Sequence, residues 1–104
     1  MTQNKHTVIA YASRTAIGKM NGSLSQTPAP RLGAALVQDA LKRLKLSGSE
    51  VDEIIMGNVL TAGVGQAPAR QAAVYGGLPH SVCATTVGRV CGSGIKAVML
   101  ADQA

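Results

Sequence analysis

Between residues 31 and 45, Leu32, Ala35, Leu36, Ala40, Leu41 and Leu44 recur at steps of three and four. Gln38, Asp39, Lys42, Arg43 and Lys45 fill the positions between them. That spacing puts the apolar side chains on one face of a helix, with the basic residues near the end where the helix dipole favours them. Leu46-Ser47-Gly48 stops it. Ahead of this helix, residues 7–13 (TVIAYAS) are apolar and β-rich, predicting a strand buried on both faces, and residues 21–30 (NGSLSQTPAP) read as a turn-rich loop. Behind it, residues 49–52 suit a short helical turn capped by Ser49. Residues 53–60 (EIIMGNVL) predict a second strand, with Ile54, Ile55 and Met56 in the core, running into a glycine-rich loop. Pro68 suits the first residue of a helix that continues through Tyr75 and ends at Gly76-Gly77. Residues 76–82 form a loop with His80 exposed. Residues 83–90 (CATTVGRV) favour a third strand, and residues 95–104 (IKAVMLADQA) are mostly good helix formers without proline or glycine.

The order is β-α-β-α-β-α. Short connections and right-handed crossovers make this an α/β unit with a largely parallel sheet. No repeat, low-complexity tract or linker interrupts it. In the last helix Ile95, Ala97, Val98, Met99, Leu100 and Ala101 run nearly all the way round. A helix apolar on all sides expects cover on all sides, which so few other elements do not provide. The chain also ends inside this helix, with no stop signal at Asp102-Gln103-Ala104. Residues 1–104 are therefore expected to be an incomplete domain.

Composition adds limits. Hydrophobic residues make up 46% and charged ones 14%, which argues for a packed interior and against disorder. With two tyrosines and no phenylalanine or tryptophan, the core must be built from Ala, Val, Ile, Leu and Met. No apolar run is long enough to cross a bilayer and no signal peptide is evident, so a cytoplasmic protein without a membrane partner is expected. The formal net charge of +5 is best accounted for by an ordinary basic surface cut out of a larger, more balanced protein; the alternative is attraction to an anionic ligand such as nucleic acid. Yet the basic residues are dispersed and base-stacking aromatics are missing, so nucleic acid is not an expected partner. Cys83 and Cys91 are eight residues apart and the only histidines, His6 and His80, are isolated. That spacing matches neither a common zinc pattern nor a redox pair, and no metal is expected.

The chemistry concentrates in Val90-Cys91-Gly92-Ser93-Gly94-Ile95. Glycine lets the backbone turn sharply from strand to helix, and Ser93 is placed to cap the first free N–H groups. Cys91 then lies at a helix N-terminus, where free N–H groups and the dipole favour a thiolate, the nucleophilic form. The same N–H groups suit an oxyanion formed when it attacks a carbonyl. This is the layout of a nucleophile elbow. Taken alone, the stretch fits a small buried cysteine at a tight turn equally well.

Residues 85–98 (TTVGRVCGSGIKAV) resemble the active-site segment of thiolases, the acetyl-CoA acetyltransferases. Three further segments resemble the same family in the right order: Arg14-Thr15-Ala16-Ile17-Gly18, Gly57-Asn58-Val59 with the loop after it, and Pro68-Ala69-Arg70-Gln71-Ala72. Two departures stand out. Gly88 lies where the family usually has asparagine, and Ala16 replaces its usual proline. Arg14 reads either as a solvated charge or as half of a structural ion pair, and carries no catalytic role. Cys83 reads as a passenger thiol.

The resemblance implies thioester chemistry. Cys91 would carry the acyl group, its backbone N–H would contribute to an oxyanion hole, and Gly92, Ser93 and Gly94 would support the elbow. Acetyl-CoA or another acyl-CoA would be the substrate, with no bound cofactor. The outcome would be condensation of two acetyl-CoA to acetoacetyl-CoA, or the reverse thiolysis, within fatty acid metabolism. The family's dimers and tetramers imply a homo-oligomer. It also needs an activating histidine, a second cysteine as acid and base, and an asparagine–water pair with another histidine. Those motifs do not occur in these residues, so the 104 residues alone are expected to be inactive. The alternative is a non-catalytic, truncated thiolase-like module that associates with a full-length partner.

Overall fold

The computed structural model describes residues 5–104. Its elements are α1 (Ala29–Leu44), β1 (Glu53–Gly57), α2 (Pro68–Tyr75), β2 (Cys83–Val87) and α3 (Ser93–Gln103), with a 3-10 turn at Gly48–Glu50 between α1 and β1. The two strands run parallel, in a register that sets Glu53 opposite Cys83 and Gly57 opposite Val87. The fold is mixed α/β with a parallel sheet, as the alternation of elements implied.

The expected first strand does not form. Residues 7–13 join no ladder, and among the described residues the sheet has two strands. Apolar β-branched residues favour an extended backbone, but a strand also needs a neighbour to share hydrogen bonds. Val8 and Ile9 are 77% and 79% exposed instead. The Tyr11 hydroxyl ties the segment to α1 by donating to the Asp39 carboxylate. Thr7, Val8 and Ile9 border a cavity beside Val98 and Met99 of α3.

Other boundaries shift for local reasons. α1 starts two residues earlier than its apolar pattern, because Pro30 suits the unbonded first turn. It ends with Lys45 in the left-handed region at φ 53°, from which Leu46 N–H donates back to the Leu41 carbonyl at 2.9 Å. The turn after it is capped by Ser47, not Ser49. The Ser47 hydroxyl accepts from Ser49 N–H while the Glu50 carboxylate accepts from Ser47 N–H at 2.7 Å, closing a capping box. β1 ends at Gly57 rather than Leu60, and β2 at Val87 rather than Val90. Arg14 is exposed and forms no ion pair among the described residues; the pair that does form joins Arg43 to Asp39.

α2 and α3 each pack on both strands but not on one another, so they cover opposite faces of the sheet, while α1 packs against α2. The α1–α2 contact is built from very small side chains. Ala69, Ala72 and Ala73 are fully buried on α2, and Gly33 of α1 faces Ala72 and Met56. Arg31 stacks over the Tyr75 ring at 3.6 Å, and Gln38 donates to the Tyr75 carbonyl at 3.1 Å. Ala73, Leu78 and Val82 form the core cluster, with Val37, Leu41, Val51 and Ile54 packed against it. α3 is covered on one side only. Ala97 faces inward, while Ile95, Val98 and Met99 are 66%, 53% and 46% exposed. No helix among the described residues is long and apolar enough to cross a membrane.

Candidate active site at the turn from β2 to α3

β2 hands the chain to α3 through Gly88, Arg89, Val90, Cys91 and Gly92. The ladder is prolonged by one bond, Asn58 N–H to the Val87 carbonyl at 2.9 Å, before the two strands part. Val90 then sits in the left-handed region at φ 46°. For a β-branched residue this is a true outlier, costing on the order of 1–2 kcal/mol. Gly92 N–H donates to the Arg89 carbonyl at 2.9 Å and Ser93 N–H to the Val90 carbonyl at 3.1 Å, leaving the Cys91 N–H outside these turn bonds. Cys91 is exposed, with its sulfur a free thiol. Among the described residues the thiol is therefore accessible rather than enclosed by the turn.

Ser93 plays a different part from the expected cap. The N-cap is Gly92, and no side chain caps the helix. Ser93 is only 1% exposed, and its hydroxyl faces back into the turn. It accepts from Arg89 N–H at 2.7 Å and donates to the Val90 carbonyl at 2.7 Å. Two such bonds are worth roughly 0.5–1.5 kcal/mol each, enough to offset the strain at Val90. Gly94 lies at the start of α3, where a Cβ would meet nothing within 4 Å. Gly92 has less room, since a Cβ there would lie 3.4 Å from the Arg89 carbonyl.

Two neighbours fix the turn from outside. Gly57, at the end of β1, packs flat on the backbone of Ser93 and Gly94. On β2, the Thr86 hydroxyl accepts from Ala69 N–H at 3.1 Å, tying the first turn of α2 to the strand that leads to Cys91. The loop before α2 is held by Gln71, whose amide donates to the carbonyls of Val64 and Gln66, both at 2.8 Å. Sequence reasoning missed the parts of Val90, Gly57, Thr86 and Gln71. A glycine ending an apolar strand is a readable sign of close approach, but nothing about a valine signals a left-handed conformation.

Cys83 and His80 lie at the opposite end of β2. The strand from Cys83 to Val87 alone spans roughly 13 Å, well beyond the reach of about 7 Å that a disulfide allows. Cys83 is thus no partner for Cys91. His80 is exposed, as expected. Among the described residues no group of three or more His, Cys, Asp or Glu side chains could hold a metal ion.

Residues 7–104 match the family model described as the N-terminal domain of thiolase. The chain is 58% identical over 97 residues to an acetyl-CoA acetyltransferase of Cupriavidus necator, an alignment covering 93% of this chain and 25% of that protein. It is 52% identical over 96 residues to the rat protein named acetyl-CoA acetyltransferase, cytosolic, covering 92% of this chain and 24% of the relative. Among solved structures, a thiolase from Ascaris suum in complex with coenzyme A superposes with a TM-score of 0.83 at 38% identity, covering 86% of this chain and 24% of that one. The chain spans about a quarter of the length of these relatives.

Proposed function

The chain belongs to the thiolase family, matching its N-terminal domain, and on that premise we propose that Cys91 is the nucleophile of an acyl transfer from acyl-CoA. The observation that carries this reading is the exposure of Cys91 at a strand-to-helix turn, two residues before the first residue of α3. The Cys91 sulfur attacks the carbonyl carbon of acetyl-CoA. Negative charge gathers on the carbonyl oxygen, where the Cys91 N–H and the N-terminal end of α3 stabilise it. The bond to the CoA sulfur breaks, coenzyme A leaves carrying a proton, and the acetyl group remains on Cys91 as a thioester. A second acetyl-CoA, deprotonated at its methyl carbon, then attacks that thioester. The new carbon–carbon bond gives acetoacetyl-CoA and returns the Cys91 thiolate; thiolysis is the same path reversed.

Gly92, Ser93 and Gly94 act as the supporting elbow. Neither histidine serves as the base for Cys91: His80 is at the far end of β2, and His6 lies in the exposed segment ahead of α1. We read residues 1–104 as an incomplete domain, with the base, the acid and the enolate-binding groups outside it, and the 104 residues alone as inert. The whole enzyme is read as a cytoplasmic homo-oligomer in fatty acid metabolism, with no cofactor besides the CoA thioester substrate.

A second reading draws on the exposed face of α3. Ile95, Val98 and Met99 suit a non-catalytic module that joins a full-length thiolase. One experiment separates the two: intact mass spectrometry after brief exposure to acetyl-CoA, with and without the remaining part of a thiolase chain. An acetyl adduct on Cys91, formed with that part present and lost on adding free CoA, supports the nucleophile. An adduct shared evenly between Cys83 and Cys91, or none when the rest of the chain is present, overturns it and leaves the module.

A further inference from the structure

We infer that Ser93 and Val90 are a coupled pair of positioning residues, the buried Ser93 hydroxyl holding Val90 in a left-handed conformation and thereby setting where Cys91 points. This rests on the reading of Cys91 as nucleophile. Neither residue supplies a group to the acyl transfer itself; both act through Cys91.

Between the end of β2 at Val87 and the start of α3 at Ser93, Val90 is the one non-glycine residue with a positive φ, at 46°. Left to itself, a valine returns to the extended region, because its branched Cβ crowds the backbone at positive φ. That return would swing the next residue, Cys91, away from the end of α3. Two bonds from a single hydroxyl oppose it: Arg89 N–H to Ser93 Oγ on one side of Val90, and Ser93 Oγ to the Val90 carbonyl on the other, each at 2.7 Å. The hydroxyl is buried, so water does not compete for either partner. Gly57 presses on the Ser93 backbone from β1, so the strut itself has a fixed base.

The test is the ratio of iodoacetamide alkylation rates at Cys91 and Cys83, read by peptide mass spectrometry on the same molecules. Both thiols are exposed, and Cys83 lies on the strand, away from any helix N-terminus. In the wild-type chain Cys91 is expected to react at least about tenfold faster, since the turn presents its sulfur at the open N-terminal end of α3 while Cys83 sits within a strand. Ser93→Ala is expected to bring the ratio close to one. The double variant Ser93→Ala with Val90→Gly is expected to recover most of the wild-type ratio, because glycine adopts positive φ without a strut. A wild-type ratio near one, an unchanged ratio in Ser93→Ala, or a double variant as slow as Ser93→Ala would each overturn the inference. If Ser93→Ala does not fold, the double variant decides: folded with a wild-type ratio supports the coupling, and unfolded makes Ser93 a fold residue only, which overturns it. No CoA thioester is used, so failure here and failure of the acyl-transfer reading are separate results.

Discussion

Gly57 lies so close to the first turn of α3 that a Cβ built on it would stand 2.5 Å from the backbone nitrogen of Gly94. The obstacle is backbone, which cannot swing aside as a long side chain does. Gly57→Ala must therefore push α3 away from β1, and overpacking of this kind costs about 1–3 kcal/mol. Urea unfolding is expected to show a stability lower by that amount. The same variant should reduce Cys91 alkylation relative to Cys83, since the displaced end of α3 carries the turn with it. An unchanged midpoint would mean that the two elements are less closely seated than the structure has them.

Gln71 tests the loop before α2. Its amide donates to two loop carbonyls, Val64 and Gln66. Gln71→Ala removes both bonds and is expected to lower stability by roughly 1–2 kcal/mol. Gln71→Glu should be worse, because a carboxylate would face two carbonyl oxygens with nothing to donate. Limited proteolysis within residues 61–67 is the local readout, with cleavage rising from wild type to alanine to glutamate.

The bond from Tyr11 to Asp39 predicts an acid dependence. Asp39 is held below the ordinary carboxylate value, first by the Tyr11 hydroxyl and then, more weakly, by Arg43 and Lys42, against an opposing effect of desolvation. A value lower in the folded state than in the unfolded one contributes stability above the ordinary carboxylate range. That contribution fades as pH falls through the folded-state value. Tyr11→Phe removes the largest cause. Its thermal midpoint should consequently fall less than that of the wild type between about pH 5 and pH 3. Equal losses in the two proteins would show that the Tyr11 bond does not persist in solution.

Much of this architecture is legible in the sequence because helix signals are local. Pro68 and Gly76-Gly77 bracket α2 as the residues imply, and the leucine spacing locates the start of α1 to within two residues. Residues 7–13 mislead because composition reports a preference for extended backbone, whereas strand pairing depends on a neighbour that no local pattern names. At the site, Cys91 stands out by its glycine-rich surroundings. The roles of Ser93 and Val90 do not, because a serine after a turn reads first as a cap and a valine reads first as strand. Both depend on bonds across three or four residues that exist only once the turn has formed.

Gly88 is the position where the family resemblance leads one to expect asparagine, and the structure leaves space for it. A Cβ there would meet only the Asn58 carbonyl, at 3.9 Å, and the backbone is not in the left-handed region that would penalise a side chain. The amide of Asn58 has a buried nitrogen without a hydrogen-bond partner among the described residues. An asparagine at this position would place an acceptor and a donor beside Asn58, just where β1 and β2 separate. Replacing glycine also removes conformational freedom from the unfolded chain, which is worth about 0.4–1 kcal/mol where the native backbone accepts a side chain. Gly88→Asn is therefore expected to raise stability to urea by about that amount, and Gly88→Ala to give most of the entropic part alone. A larger gain for asparagine than for alanine would locate the difference in new hydrogen bonds at the turn. A loss of stability in both would mean that the space beside Gly88 is needed by the turn itself, and that glycine there is a requirement of this chain.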